Sequence, residues 1–265
     1  MSTSIRKVSF IGSGNVATHL AKALHKRGVE IGQIFSQQCD NSEVLAWQSN
    51  AKYICDLEEL NTEVDLLIFA IKDEAIRQVA QFVYEKNPTV KVVHTSGSVS
   101  LEVFNGFENS GIFYPLQSFS KSKKIDIQEV PILITANNPV FKADLMGFAR
   151  LISDRVYEYT DEQRKHLHVA AVFVNNFSNH LFAIAQEYCT RHQLEFEMLL
   201  PLIRETIHKI DTLPPKDAQT GPAKRNDKEI IEKHIALLEA EDPQLALVYR
   251  TLSDSIMKMY FPADQ

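Results

Sequence analysis

Gly12, Gly14 and Ala17 stand at G-x-G-x-x-G/A spacing within K-V-S-F-I-G-S-G-N-V-A, Lys7–Ala17. This spacing does its chemistry through the backbone. The first glycine allows a tight turn, the second lets the chain approach a pyrophosphate, and the small third residue lets a helix pack on a strand. The helix start beyond it offers free N–H groups and a positive dipole end to phosphates. The motif carries weight only between a strand and a helix. Val8, Phe10 and Ile11 read as a short buried strand, and Asn15–Lys26 reads as a helix. Gly12, Ser13, Gly14, Asn15 and Val16 are therefore expected to hold a dinucleotide, against the plainer reading of a tight turn.

Ligands of open α/β sheets bind at the carboxyl ends of strands. Further segments leave such ends. Ala70, Ile71 and Lys72 would pass their backbone alongside a cofactor ribose, with Lys72 and Asp73 also readable as a capping pair for the next helix. His94-Thr95-Ser96-Gly97-Ser98 supports two readings. It could hold a substrate or a nicotinamide carboxamide, with His94 donating a proton near neutral pH, or it could be a serine-capped turn over a core histidine. Tyr114 and Gln117, in Y-P-L-Q-S-F-S, could reach the same cleft, although Pro115 also suits a plain turn. The second strand ends in Phe35-Ser36-Gln37-Gln38 with no acid to bind a ribose 2′-hydroxyl. That leans toward NADP over NAD. Ser36 and Gln37 supply neutral hydrogen bonds where an arginine is usual.

The elements that must carry these residues alternate. Strands are expected at 29–35, 53–54, 65–71, 90–94, 112–114, 132–134 and 156–159, with helices at 43–48, 74–84 and 139–152. This pattern predicts a mainly parallel, doubly wound sheet. D-L-L-I-F-A-I at 65–71 is the continuous apolar run of a central strand. From Thr160 no strand is expected. Thr160 and Gln163 form a capping box, and one unbroken helix should run to about Arg191. Helices follow at 195–209, with a kink or an early break at Pro201, then from Asn226 or Asp227 to 240, then from Pro243. The domains are read as 1–158, nucleotide-binding, and 159–265, helical and carrying substrate binding and dimerisation.

The long helix is apolar nearly all round, from Val169 through Phe173, Val174 and Phe177 to Phe182. Such a helix needs cover, from the first domain or from a second subunit, so a homodimer is expected. His168, Asn175 and Asn179 share a stripe on it, flanked by Asn176 and His180. Buried amides and imidazoles need partners. His168 and Asn176 are read as a polar wall of the active site, and Asn179 and His180 as an interhelical network.

Composition narrows the classes. The 265 residues are 45% hydrophobic and 23% charged, with a net charge of −6. That describes a globular protein with no basic field for nucleic acid. Lys121, Lys123 and Lys124 read as a solvated loop. Cys39, Cys55 and Cys189 fit neither a zinc site nor C-x-x-C. They are read as free thiols in a reducing compartment, and no metal is expected. Without a signal-like or membrane-length apolar segment, a cytoplasmic location with no membrane partner is expected.

With these residues in view the chain resembles a family of Rossmann-like reductases whose helical C-terminal domain has no assigned function. These are distant relatives of pyrroline-5-carboxylate reductase, ketopantoate reductase, the β-hydroxyacid dehydrogenases and deazaflavin-dependent NADP reductase. The first glycine motif and D-L-L-I-F-A-I-K-D are general to that superfamily. H-T-S-G-S at 94–98 also carries the likeness. Y-P-L-Q-S-F-S, H-V-A-A-V-F-V-N-N-F at 168–177 and T-G-P-A-K-R-N-D at 220–227 are specific to the group. The resemblance implies an N-terminal Rossmann domain and an all-helical domain of the 6-phosphogluconate-dehydrogenase-like type. It implies an interdomain cleft with His94, Ser96, Tyr114, Gln117, His168 and Asn176, and Thr220, Gly221, Pro222 and Arg225 brought by the helical domain of the same or a partner subunit. The chain departs from the family at Gln37, where arginine is usual, and at Asn226, where glycine is usual. Asn tolerates the left-handed turn.

The function expected is hydride transfer between a nicotinamide, NADP with NAD as the alternative, and a carbonyl or imine carbon of a small anionic metabolite. His168 would donate the proton, with His94 second. Asn176 and Ser96 would orient the substrate and Arg225 would hold a carboxylate. The alternatives are a non-catalytic NADP(H)-binding scaffold or redox sensor, and a prephenate-type dehydrogenase, against which Tyr114 stands where those enzymes carry histidine.

Overall fold

The computed structural model of the chain describes residues 3–262. Its eight strands are β1 Lys7–Ile11, β2 Glu30–Phe35, β3 Lys52–Ile54, β4 Leu66–Phe69, β5 Val92–His94, β6 Ser110–Pro115, β7 Ile132–Ala136 and β8 Val156–Glu158. They form one sheet in the order β3-β2-β1-β4-β5-β6-β7-β8. All pairs are parallel except β6 with β7. Helices α1 Asn15–Lys26, α2 Cys39–Ser49, α3 Asp73–Lys86 and α4 Pro139–Ala149 cover it.

β4 shows why the sheet must be covered twice. Leu66 and Ile68 join one buried cluster with Phe10, Leu20 and Leu24, while Leu67 and Phe69 join another with Ile76 and Val83. Alternate residues face opposite layers, so an unbroken apolar run is required. Strand order reverses between β1 and β4, and the glycine turn lies at that switch point, where the Ala70 N–H donates to Ile11 O at 2.8 Å. Gly28, at φ +82°, ends α1 as expected, because glycine alone adopts that backbone without strain.

Two expectations are corrected here. Cys39 and Cys55 are joined as a disulfide, with Cα atoms 5.4 Å apart, and only Cys189 is free. The reason is register. β2 and β3 run parallel with Phe35 opposite Ile54, which brings the residues just beyond both strand ends together. The long helix is also interrupted. It runs as α5 Asp161–Ala171, a π-helical segment Val172–Phe177 and α6 Ser178–Arg191. The wide turn holds V-F-V-N-N-F, the Asn175-Asn176 pair included; such turns recur at functional sites.

The chain forms two compact units, Met1–Leu181 and Phe182–Gln265. Strands end near 158, as the sequence suggests, but the first unit extends through α5, where Arg164 bonds to the loop after β5 and His168 to Tyr114 of β6. The second unit holds most of α6, then α7 Leu200–Ile210, α8 Pro215–Ala218, α9 Lys228–Glu239 and α10 Pro243–Tyr260. Pro201 lies in the first turn of α7, where a missing N–H is harmless, and a separate 3-10 turn, Phe196–Leu199, precedes it, so of the two expectations the early break holds and the kink does not. Asp227 caps α9, and Asn226 takes the left-handed turn at φ 57°. The unit's buried cluster is small: Ala223, Ile231 and Ile235. Among the described residues, no helix is long and apolar enough to cross a membrane.

Candidate active site

The glycine turn has the shape its spacing demands. Gly12 sits at φ +115°, and a Cβ there would lie 2.2 Å from the Ala70 carbonyl oxygen. Gly14 faces open space, with nothing within 4 Å of its missing Cβ. Gly14 is also the N-cap of α1, and no side chain caps the helix. The first N–H groups of α1 are thus left for an anion. Gly12 is a fold requirement, and Gly14 keeps a surface bare.

Beyond β2 lies a cavity of about 590 Å³, lined by Phe35, Gln37, Cys55, Leu57, Ala75 and Val79 among others. Apolar walls with a polar rim suit a flat base. Ser36 is tied down, its N–H donating to Ile54 O and its hydroxyl accepting from the Gln38 N–H. The lysine loop is more than solvated surface. Lys121 Nζ donates to Asn41 Oδ1 at 3.3 Å, and Asn41 Nδ2 donates to Gln38 Oε1. His19 of α1 meets Ser120 O at 2.9 Å and holds the base of that loop. A cation therefore stands beside the turn that lacks arginine.

Past β5 and β6 the chain brings together a second group. The Tyr114 hydroxyl lies 3.0 Å from His168 Nδ1. Burial raises the pKa of Tyr114, against a smaller opposing effect of Arg164, so it stays protonated. The bond to Nδ1 is the one hydrogen bond of the hydroxyl among the described residues, and its direction follows the imidazole tautomer. Gly97 makes the ring's position possible, since a Cβ there would meet Nδ1 at 2.3 Å.

Arg164, fully buried, fixes the Gly97 loop. Its guanidinium donates to Ser96 O at 3.0 Å, Val99 O at 2.5 Å and Asp161 Oδ1 at 2.6 Å. Asp73 accepts from the Ser98 hydroxyl, linking the loops after β4 and β5. Lys72 is the N-cap of α3 but makes no side-chain cap. Asp161 is pushed up by burial, but hydrogen bonds from Lys165 and Arg164 prevail and hold it at about 2.

Other sequence candidates fall differently. His94 has no exposed surface. Burial first, then the Arg164 charge, lower its pKa to about 4. Its Nδ1 accepts the Ser96 N–H. It is a neutral core residue, which removes it as a proton donor. The Ser96 hydroxyl accepts from the Ser98 and Val99 N–H groups, so it caps a turn and is not free to orient substrate. Gln117 is exposed and turns back to the Ser118 N–H. Asn176, Asn179 and His180 are exposed, and among the described residues they form no interhelical network. Thr220 and Arg225 lie exposed in the second unit. Sequence reasoning missed Arg164. The available signal was its spacing four residues before His168, on the same helical face.

Residues 7–95 match the family described as NADP oxidoreductase, coenzyme F420-dependent, and residues 130–256 match a domain of unknown function, DUF2520. A Bacteroides fragilis protein described as a "putative NADP oxidoreductase" is 41% identical, with a TM-score of 0.90, over 96% of this chain and 98% of its own. Two more distant structures share the fold. A reductive aminase from Aspergillus terreus, in complex with NADPH and ethyl-5-oxohexanoate, has 14% identity and a TM-score of 0.69, over 98% of this chain and 95% of its own. A Coxiella burnetii pyrroline-5-carboxylate reductase has 13% identity and a TM-score of 0.57, over 98% and 100%. Comparison with curated proteins returns no match. With 41% identity along nearly the whole of the Bacteroides chain, and a nucleotide domain of matching type, this protein belongs to the NADP oxidoreductase family.

Proposed function

We propose that the chain reduces a carbonyl or imine carbon of a small, anionic metabolite, with His168 as proton donor. The observation that carries this is the Tyr114–His168 pair, seated on Gly97 beside the carboxyl ends of β5 and β6. Bound nicotinamide supplies the hydride. The chain's own residues do the rest. Tyr114 orients the imidazole through Nδ1; protonated on both nitrogens, His168 gives its Nε2 proton to the developing oxyanion or amine and is left as a neutral ring. Asn176, in the wide turn of the helix, orients the substrate.

The cofactor reading rests on the bare Gly14 and the uncapped α1, which receive the pyrophosphate. The backbone of Ala70, Ile71 and Lys72 lines the ribose path. The 590 Å³ cavity takes the adenine. Ser36, Gln37 and Lys121 hold the 2′-phosphate, the lysine standing in for the family's arginine. Val169, Phe173, Val174 and Phe177 are 56%, 62%, 76% and 50% exposed. An apolar stripe of that extent supports a homodimer. We place the protein in the cytoplasm, where an NADP enzyme meets its cofactor pool. The domains are proposed as 1–158 for the nucleotide and 159–265 for substrate and dimerisation.

Thermal shift with NADPH, with NADH and without ligand tests the cofactor reading. NADPH should raise the melting temperature more than NADH, and Lys121→Ala should weaken NADPH but not NADH. Absence of any shift would remove the reading. In assays against keto and imino acids, His168→Ala should abolish turnover and retain NADPH binding. If no substrate oxidises NADPH in the native chain, a binding scaffold replaces the enzyme.

A further inference from the structure

Cys39 and Cys55 occupy a position that a structural staple does not need. Cys39 is the first residue of α2, directly after Ser36-Gln37-Gln38, and Cys55 follows β3 and lines the 590 Å³ cavity with Gln37. The bond therefore crosses from the turn proposed for the 2′-phosphate to the wall proposed for the adenine. Cys39 is exposed and Cys55 is half-buried, so the pair is open to a reagent. The third cysteine, Cys189, is buried elsewhere. In the cytoplasm proposed above, a disulfide that persists by structure alone is rare, and exposed ones are the labile or regulatory kind.

We propose that Cys39–Cys55 is a thiol–disulfide exchange site whose redox state sets the affinity of the adjoining cofactor pocket; this rests on the cofactor reading above. Its co-substrate is a dithiol. One thiolate of the dithiol attacks the exposed Cys39 sulfur, and the Cys39–Cys55 bond breaks. Cys55 leaves as a thiolate and takes a proton. The second thiolate of the reagent then attacks its own sulfur in the mixed disulfide and releases Cys39. The pair gains two electrons and two protons, and the dithiol is oxidised to its disulfide.

Reduction acts on the cofactor through the turn. With the bond intact, residues 36–38 are held between β2 and a cross-link to β3. Without it, the tie to β3 from this turn is the Ser36 N–H to Ile54 O, at 3.2 Å. The remaining contacts, Gln38 N–H to Ser36 Oγ and Asn41 Nδ2 to Gln38 Oε1, are internal to the turn and α2. A looser turn must be ordered by the ligand, and that ordering weakens binding. Linkage requires the converse, that bound cofactor favours the oxidised pair.

The test titrates the full-length protein in reduced and oxidised dithiothreitol, counting free thiols by alkylation and mass spectrometry. It measures NADP⁺ affinity at both ends. The expected result is a reversible change of two thiols, with Cys189 outside the couple, and a Kd about tenfold higher in the reduced form. Saturating NADP⁺ should then make the midpoint about 30 mV more negative, the equivalent of tenfold for a two-electron couple. Cys39→Ser/Cys55→Ser, checked for folding by circular dichroism, should bind like the reduced form. A pair that stays reduced in oxidised dithiothreitol overturns the proposal. So does an equal Kd in both states, which leaves the cofactor reading intact. Failure of both states to bind NADP⁺ or NADPH removes the cofactor reading and the coupling with it.

Discussion

The Tyr114 hydroxyl and His168 Nδ1, 3.0 Å apart, join the end of β6 to the last turn of α5. The bond holds the imidazole in place and leaves Nε2 as the nitrogen without a partner among the described residues. Tyr114→Phe removes that lock while keeping the ring that meets His168 edge-on at 5.9 Å between centroids. Stability should fall by only about 1 kcal/mol, and NADPH affinity should not change. Turnover should fall by about 10–100-fold, within the range of general acid–base catalysis. Nitrogen-15 spectra of the His168 ring would show the tautomer mixture directly. An unaltered spectrum and rate would refute the role given to Tyr114.

Gly12 and Gly14 should respond oppositely to substitution, although they stand two residues apart in one motif. Gly12→Ala drives a Cβ to 2.2 Å from the Ala70 oxygen at a φ of +115°. It should destabilise the fold by about 3 kcal/mol, from backbone strain and displacement of β4. Gly14→Val meets open space at φ −73°. It should leave the unfolding midpoint within about 0.5 kcal/mol of native and abolish NADPH binding. Urea unfolding and NADPH titration of the two variants check this. Loss of stability at Gly14, or retained binding there, contradicts the phosphate reading.

These two positions show how much the sequence disclosed. Backbone-defined features were legible: the glycine turn, the Thr160–Gln163 capping box, Asn226 in its left-handed turn and Asp227 as a cap. Each depends on residues within a few positions of one another. Features set by distant partners were not legible. Arg164 reads as a helix-surface cation until the loop from β5 folds over it. His94 reads equally as a proton donor and as a core histidine until its burial favours the second. The Cys39–Cys55 bond needs the β2–β3 register, and the π turn at 172–177 leaves no mark in an apolar run. Local backbone geometry was therefore more legible than contacts between distant side chains.

Arg164 holds the loop after β5 by donating to two carbonyls, Ser96 O and Val99 O, and to Asp161. Arg164→Met fills much of the volume but leaves both carbonyls without these donors, which should destabilise the fold by about 2–4 kcal/mol. Arg164→Lys should recover part of this, since one ammonium cannot span three acceptors in a planar fork. Chemical denaturation of the three proteins measures the order. Equal stability of the methionine and native chains would show that the buried guanidinium contributes nothing net.

Acid should destabilise the protein well above the range of its carboxylates, because of His94. Its pKa falls from 6.5 to about 4, through burial first and Arg164 second, against opposing effects of Asp73 and Asp161. Between those values the unfolded chain binds a proton that the folded chain refuses, so stability drops as pH falls from 6.5 toward 4. At pH 4.5 the loss should be about 2–3 kcal/mol relative to neutral pH. Asp144 and Asp161 act later. Burial raises both, but hydrogen bonds outweigh it and hold each at about 2. Their contribution is therefore complete above the unfolded carboxylate range, near 4, and is lost only as pH falls toward 2. Urea unfolding at pH 7.5, 6.0 and 4.5 should show the decline in the native chain. His94→Gln, which has no proton to gain, should flatten it. An identical slope in that variant would assign the acid sensitivity to other groups.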